Sequence, residues 1–101
     1  MKAKWNNMKP KPGDYYYHFK HTDESVNNYA YKIIVVANHT ESEEPLVVYK
    51  ALYEVDKKMG DTWARQLQMF TDTVDRDGYK GNRFNKVEDS KIIWELQQYD
   101  K

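Results

Sequence analysis

A polar segment between two strand-like runs holds the residues best suited to chemistry. Residues 38–44, Asn-His-Thr-Glu-Ser-Glu-Glu, contain a histidine, three carboxylates and two hydroxyls. A histidine beside carboxylates is a pairing used in general acid–base catalysis, and the same groups can hydrogen-bond a ligand. Hydroxyls and carboxylates in a short loop also form side-chain-to-backbone turn bonds. The segment is therefore a candidate functional loop whose chemistry the sequence leaves open.

Metal binding and hydrolysis are the two sharpest interpretations of these groups. The side chains with nitrogen or oxygen donors are His18, His21, His39, Glu41, Glu43 and Glu44. An open metal site normally needs three converging protein ligands, whereas His18 and His21 would point to opposite faces of a strand. A hydrolase would use His39 as general base with Glu41 or Glu44 orienting it, but no Gly-x-Ser-x-Gly turn accompanies them. We predict no metal, no cofactor and no catalytic residue, and keep the hydrolase as an alternative.

Polar side chains within otherwise apolar segments extend the candidate site beyond this loop. An arginine fork binds carboxylate, phosphate or a guanine edge, and a tyrosine ring offers a stacking surface. We predict a ligand-binding face formed by His18, His39, Glu41, Glu44, Tyr49, Arg65 and Arg83. The competing interpretation is an internal ion-pair network in which either arginine pairs with Glu41 or Glu44, because a buried arginine usually has a carboxylate partner.

Composition limits the class of protein. The 101 residues include 16 basic and 16 acidic side chains and no cysteine. Zero net charge gives no long-range field for nucleic acid or an anionic membrane, so a nucleic-acid partner would depend on a local patch. The lack of cysteine excludes disulfides, thiolate metal sites and cysteine nucleophiles. Without a secretion signal or an apolar run longer than residues 33–37, we expect a cytoplasmic protein that does not enter the membrane.

Periodicity predicts a mainly β fold. The predicted strands cover residues 15–20, 29–39, 46–53, 62–65 and 80–87. In the second strand, Tyr31, Ile33 and Val35 share the expected core face. Residues 15–17 are three tyrosines, which favour a half-buried edge strand. Because the second and third strands are apolar on most of both faces, they favour a strongly bent strand in a small closed barrel over a flat sheet.

Helical and loop patterns fill the rest of the chain. Residues 66–74 predict one or two helical turns, and residues 90–99 predict a C-terminal helix capped by Ser90. Residues 21–28, expected to be mobile, and residues 54–61 predict loops, and residues 75–78 predict a turn. The large apolar side chains expected in the core are Leu52, Trp63, Met69, Phe70 and Phe84.

The order of these features resembles a known family. The resemblance is carried by Gly13, residues 17–20 (Tyr-His-Phe-Lys), 31–33 (Tyr-Lys-Ile), 37–42 (Ala-Asn-His-Thr-Glu-Ser), Glu44, 47–53 (Val-Val-Tyr-Lys-Ala-Leu-Tyr), 63–65 (Trp-Ala-Arg), 69–70 (Met-Phe) and 83–84 (Arg-Phe). Over residues 13–87 the chain resembles the small bacterial family called domain of unknown function 1653. The resemblance implies an SH3-like β-barrel and no established activity. The chain departs from the family pattern by a longer loop at 21–28 and by Gln66 and Asn82 in place of prolines.

Three regions and one principal function follow from these patterns. We expect a flexible lead-in over residues 1–12 (with Trp5 as an anchor), a small SH3-like β-barrel over 13–87 and a helical extension over 88–101. The principal hypothesis is a non-enzymatic binding module for a nucleotide, a nucleic-acid fragment or a peptide. Besides the His39 hydrolase, the alternative is a protein–protein interaction module that uses the tyrosine strip and an apolar patch around Tyr15, Trp94 or Tyr99.

Overall fold

The computed structural model describes residues 9–100, which form a mainly β fold; Trp5 and most of the expected lead-in lie outside the described residues. The strands are β1 (Tyr15–His18), β2 (Ala30–Asn38), β3 (Pro45–Ala51), β4 (Glu54–Val55), β5 (Lys58–Met59), β6 (Thr62–Gln66), β7 (Thr73–Arg76), β8 (Tyr79–Asn82) and β9 (Phe84–Lys86). The helices are α1 (Leu67–Phe70) and α2 (Ser90–Gln97). Within the described part of the chain, no helix is long and apolar enough to cross a membrane.

A five-stranded antiparallel sheet organises the domain. Its strand order is β6-β3-β2-β1-β9, so the first strand pairs with both the second and the last. The hairpins β4–β5 and β7–β8 form two separate two-stranded sheets. The predicted mainly β class is confirmed, with β6 and β9 as the two edges of the large sheet. β1, expected to be an edge strand, is instead an inner strand of the sheet.

Both faces of the sheet carry buried side chains, which form two cores. One face carries the inner core: Tyr16, Tyr31, Ile33, Val47, Tyr49, Ala51, Phe70 and Phe84. The other face carries the outer core: Tyr15, Ala30, Leu52, Val87 and Leu96. Because successive strand residues point to opposite faces, the neighbours Tyr15 and Tyr16 enter different cores, and both are buried.

A bulge in β2 changes the predicted core face. The pairing with β3 steps from Ile33 directly to Val35, which leaves Ile34 as an extra residue on β2. Such an insertion moves every later side chain to the opposite face. Val35, expected in the core, is therefore 42% exposed, while Val36 packs against the inner core.

Two of the five expected core residues lie at the surface. Leu52, Phe70 and Phe84 are buried, as predicted. Trp63 is 46% exposed because it lies on the edge strand β6, and Met69 is 41% exposed on the outward side of the one-turn helix α1. Apolar type alone therefore did not predict burial at the margin of the sheet.

Two hairpins replace a predicted loop and part of a predicted helix. Residues 54–61 hold the β4–β5 hairpin, whose turn residues Asp56 and Lys57 both have positive φ. The helical pattern over 66–74 ends with α1, and β7 begins at Thr73. The predicted turn at 75–78 is confirmed at its end, since Asp77 and Gly78 have positive φ between β7 and β8, as a tight hairpin turn requires. The predicted strand 80–87 is interrupted at Arg83.

The C-terminal helix belongs to the folded domain. Its cap is Asp89 and not Ser90: the Asp89 carboxylate accepts hydrogen bonds from the backbone N–H groups of Lys91 and Ile92. An aspartate in this position satisfies amide groups that have no partner within the helix. Leu96 is fully buried in the outer core, with Ile92 packed beside it. The predicted helix is thereby confirmed, and it covers the sheet.

Asp100 fastens the end of this segment to the centre of the sheet. Its carboxylate oxygens lie 2.6 Å from the Lys32 Nζ and 2.9 Å from the Lys50 Nζ. Lys32 and Lys50 are direct partners across β2 and β3, so one carboxylate bridges a cross-strand pair of like charges and offsets their repulsion. Hydrogen bonds from Lys32 and then Lys50 hold the pKa of Asp100 below its ordinary value of 3.8.

The loop at residues 21–28 packs against the same cover. The Asn27 amide donates to the Leu52 carbonyl oxygen at 2.9 Å, and Val26 packs on the outer core. The Asn28 amide donates to the carbonyl oxygens of Thr22 and Ser25. The loop was expected to be mobile, but its own hydrogen bonds and its contacts with the outer core hold it in place.

Replacing the buried side chain of α2 should destabilise the whole domain. Leu96→Ala is expected to lower the free energy of unfolding by about 2–5 kcal/mol, because it leaves a cavity in the outer core. Trp94 on the same helix is 63% exposed. Trp94→Ala should therefore change the free energy of unfolding by about 0.5 kcal/mol or less. Urea denaturation followed by circular dichroism measures both. Equal small effects would contradict the packing of α2 on the sheet.

Asp100 should make stability depend on acid pH. Because its folded pKa is lowered, its contribution is present above an unfolded pKa of about 4 and is lost as pH falls through the folded pKa. Asp100→Asn should therefore be less stable than wild type at neutral pH and equal to it near pH 2, as measured by thermal unfolding. A difference between the two proteins that is constant with pH would contradict the ion pairs.

Candidate functional site

Aromatic rings from four strands and their flanking residues meet at one end of the inner core. The β1–β9 register places His18 opposite Phe84, with their ring centroids 5.2 Å apart. The Tyr31 ring lies 5.0 Å from Tyr49 and 5.6 Å from Tyr53, and its hydroxyl hydrogen-bonds that of Tyr53. These rings, with Tyr29, form what we call the aromatic cluster: His18, Tyr29, Tyr31, Tyr49, Tyr53 and Phe84.

A cleft of about 280 Å³ lies beside the aromatic cluster. It is lined by Tyr31, Tyr49, Tyr53, Val55, Trp63 and Arg65, and we call it the aromatic cleft. Trp63 and Arg65 come from β6 and point to the same face because they are two residues apart. β4 contributes Val55. The cleft is thus formed between the edge strand, the β4–β5 hairpin and the buried tyrosines of the inner core.

Arg65 joins the cleft to the aromatic cluster. Its Nε donates a hydrogen bond to the Tyr49 hydroxyl at 3.3 Å, and its guanidinium carbon lies 5.6 Å from the centroid of the Phe84 ring. Stacking of this kind suits a planar, weakly hydrated cation. Arg65 is half-buried. One side of its guanidinium is therefore held by aromatic groups, which fixes the cation at the border of the cleft.

Neither arginine of the predicted site has a carboxylate partner among residues 9–100. Among residues 9–100, the ion pairs involve Lys32, Lys50, Arg76 and Lys86. The Arg83 Nε is buried and has no hydrogen-bond partner within the described chain. The internal ion-pair network considered above, which would have joined Arg65 or Arg83 to a glutamate, is thus not seen in the described residues.

His18 reports an electropositive environment. Burial is the largest cause that lowers the pKa of the His18 imidazole, from 6.5 to about 4, and every charged residue that adds to the shift is basic. These residues are Arg65, Lys20, Arg83 and Arg76. The Lys20 backbone N–H donates to the Nδ1 of His18 at 3.2 Å, so the neutral ring carries its proton on Nε2. Burial and four basic residues thus favour the neutral form of this histidine.

His39 has a structural role in the polar turn. Its Nδ1 accepts hydrogen bonds from the backbone N–H groups of Glu41 and Ser42 at 3.2 and 3.3 Å. Its backbone N–H and carbonyl oxygen bond to Glu44 and Glu43, at 2.9 and 2.8 Å. These bonds close the β2–β3 connection, with Glu43 at positive φ. The histidine therefore organises the turn through backbone groups, and the contacts found here do not orient it as a general base.

The predicted seven-residue face divides into two groups. His18, Tyr49, Arg65 and Arg83 gather at or near the aromatic cluster, as described above. His39, Glu41 and Glu44 lie in the turn after Asn38, and the Glu44 carboxylate accepts a hydrogen bond from the Gln66 side chain at 2.7 Å. From Tyr31 to Asn38 an extended strand spans seven residues, or about 23 Å. This length separates His18 from His39, whereas Arg65 lies nearer the turn, since it pairs with Val47 and its neighbour Gln66 bonds to Glu44.

Sequence reasoning missed several residues of the cleft. These are Tyr31, Tyr53, Val55 and Trp63. Strand periodicity held a signal for Trp63, which shares a face with Arg65. Val55 had none, since its segment was predicted to be a loop.

Among residues 9–100 no group of three or more His, Asp or Glu side chains could hold a metal ion.

The patch considered for a protein–protein interaction does not form as a unit. Tyr15 is only 5% exposed because it belongs to the outer core, whereas Trp94 is 63% exposed on α2. Tyr99 is half-buried and packs against the outer core. The exposed aromatic side chain at the cleft is Trp63. It lies on the side of the sheet that carries the inner core, whereas α2 covers the outer core.

These features define a small antiparallel β domain with an aromatic cleft at the edge of its sheet. The model of DUF1653, described as a protein of unknown function, matches residues 14–86. The chain therefore belongs to the DUF1653 family, which confirms the resemblance found in the sequence. The matched residues include the complete aromatic cleft, whereas α2 lies beyond them.

The fold is similar to that of another member of the family. The crystal structure of a DUF1653 protein from Bordetella bronchiseptica matches with a TM-score of 0.59 and 28% identity, covering 77% of this chain and 87% of that one. No curated protein matches the chain. The comparisons therefore show the family and the fold, and the description of the family gives no activity.

His18 should titrate near pH 4. The unfolded chain takes up a proton near pH 6.5 while the folded chain does not, so His18 should reduce stability as pH falls from about 6.5 to about 4. NMR titration of the His18 ring measures its pKa directly, and His18→Gln should flatten the stability profile over that interval. A midpoint near 6.5 would contradict the buried, electropositive environment.

Proposed function

We propose that this domain is a non-enzymatic binding module that takes an anionic ligand in the aromatic cleft. The ligand classes that fit are a nucleotide, a nucleic-acid fragment and a peptide. The observation that carries the proposal is that Arg65 borders the cleft, half-buried, with no carboxylate partner among residues 9–100.

An anion is the group that this arrangement lacks. A cation removed from water loses hydration, and a carboxylate or phosphate partner ordinarily offsets that loss. Here the nearby charges that act on His18 are all basic, so they add to the positive potential instead of neutralising it. A ligand anion on the free edge of the Arg65 guanidinium would form charge-assisted hydrogen bonds.

The rest of the cleft favours a flat or apolar group beside that anion. Tyr53, Val55 and Trp63 supply aromatic and aliphatic surface, and Trp63 is 46% exposed. A volume of about 280 Å³ is near the lower end of the range for small-molecule sites, roughly 300–1,000 Å³. The cleft thus suits one nucleobase, or one or two amino-acid side chains, and not a large cofactor.

The groups around the cleft support binding over catalysis. The lining residues are aromatic, aliphatic and basic, with no hydroxyl of serine or threonine and no carboxylate among them. General acid–base catalysis needs a base within hydrogen-bond reach of a bound substrate. His39, the base of the alternative hydrolase hypothesis, lies in the β2–β3 turn and is engaged with backbone N–H groups.

Binding should depend on Arg65 and not on His39. We expect at least one of inorganic phosphate, uridine monophosphate, adenosine monophosphate and a mixture of short acidic peptides to shift the amide resonances of residues 62–66. Arg65→Gln should weaken that binding about ten-fold or more, since hydrogen bonds to a charged group contribute about 1.5–3 kcal/mol. His39→Ala, in the β2–β3 turn and outside the cleft lining, is the matched control and should bind as wild type does.

The bound anion should also be detectable at His18. A negative charge near its four basic neighbours favours the imidazolium form, so the pKa of His18 should rise when the ligand is added. Binding that is unchanged in Arg65→Gln, or that is lost in His39→Ala while that variant remains folded, would place the site elsewhere and refute the proposal.

A further inference from the structure

β6, the strand that supplies Trp63 and Arg65 to the cleft, is an unprotected edge of the sheet. It pairs with β3 on one side, and among the described strands none pairs on the other. Exposed edges usually carry lysine, proline or a bulge that discourages pairing with another chain. The five residues of β6, Thr-Trp-Ala-Arg-Gln, contain no lysine or proline, and their register with β3 is regular. This edge is therefore open to a further strand.

The alternation of hydrogen bonds along β6 shows which of its backbone groups point away from β3. The Ala51 N–H donates to the Asp61 carbonyl oxygen at 2.8 Å, so bonded pairs with β3 recur at every second residue from Asp61. The intervening residues Thr62 and Ala64 direct their N–H and C=O groups away from β3. Both residues are exposed, and among residues 9–100 no other hydrogen bond reaches these groups. These N–H and C=O groups form a row of hydrogen-bond donors and acceptors beside the cleft that no described residue uses.

We infer that the domain binds an extended acidic peptide, which adds to β6 as a sixth strand and places a carboxylate on Arg65. This inference rests on the proposed function, since it uses the same cleft and the same unpaired arginine. Strand addition takes affinity from backbone hydrogen bonds and specificity from alternate side chains. Two peptide residues that lie two positions apart would face the cleft. One, apolar or aromatic, would contact Trp63, and the other, acidic, would contact Arg65.

The geometry favours a peptide over a nucleotide. A nucleotide could use the arginine and the exposed ring, but it would leave the outward N–H and C=O groups of Thr62 and Ala64 bonded only to water. A peptide strand satisfies these groups and supplies the missing anion together. The volume of about 280 Å³ matches one or two side chains entering from such a strand. The protein also has zero net charge, which gives no general attraction for nucleic acid.

Blocking one outward N–H group tests the strand pairing. Linear twelve-residue random peptides displayed on phage would be selected against the wild-type domain, and the selected peptides synthesised. Ala64→Pro removes an N–H that makes no bond to β3, a change that edge strands tolerate. It should weaken peptide binding at least ten-fold. Ala64→Ser, which keeps the N–H, is the matched control and should bind as wild type does.

Two further measurements keep the test decisive if Ala64→Pro does not fold. In the wild-type protein, peptide binding should protect the Thr62 and Ala64 amides from hydrogen exchange. Replacing the acidic residue of the peptide by its amide should weaken binding to wild type about ten-fold, but have little effect on binding to Arg65→Gln. Such coupling between two groups indicates direct contact.

Each result separates this inference from the proposed function. Peptides that bind Ala64→Pro as well as wild type, or that leave both outward amides unprotected, would overturn strand addition. Binding of uridine monophosphate or phosphate to residues 62–66 without any peptide binding would keep the cleft as an anion site and overturn the peptide. Failure of every probe to bind would overturn both.

Discussion

Burial of side chains on both faces of the sheet, in two separate cores, is the constraint on which the rest of the structure depends. β2 and β3 are inner strands of the sheet and supply Tyr31, Ile33, Val47, Tyr49 and Ala51 to the inner core, whereas the outer core takes Ala30 from the start of β2 and Leu52 from just after β3. A sheet that is apolar on two faces needs two covers. α1 and the rings of Phe70 and Phe84 supply one, while α2 and the loop at 21–28 supply the other. The C-terminal segment, although outside the residues matched by the family, is thus part of the packed domain.

The candidate site arises where this burial ends. At the edge of the sheet the inner core becomes the aromatic cleft, with Trp63 partly exposed and Arg65 held against Phe84. Aromatic packing positions the guanidinium, but it does not neutralise the charge. The surrounding basic residues raise the local potential further and, after burial, add to the lowering of the pKa of His18. At the same edge, the outward backbone groups of Thr62 and Ala64 bond to no described residue. The charge of Arg65 and these backbone groups together favour an extended acidic peptide as the ligand.

The polar turn at residues 39–44 illustrates how a functional pattern can have a structural cause. A histidine beside glutamates and hydroxyls has the composition of a catalytic loop. In the fold, the His39 ring accepts backbone N–H groups and thereby closes a connection with one residue at positive φ. Side-chain bonds of this kind compete well in short turns because they satisfy backbone groups locally. Arg65, whose charge has no carboxylate partner among residues 9–100, and the residues around it come instead from separate parts of the chain: β1, β3, β6 and the segment before β9.

The sequence by itself determined the mainly β class, the family, the approximate positions of the long strands and of α2, and two residues of the cleft, Tyr49 and Arg65. These properties depend on local periodicity and residue type, which act over a few neighbouring residues. The tertiary structure alone decided that Ile34 forms a bulge, that β1 is an inner strand, and that Tyr53 and Val55 meet Arg65. It also separated His39 from His18 by the length of a strand. Such outcomes depend on pairing between segments far apart in the chain, where the best total packing overrides each local preference.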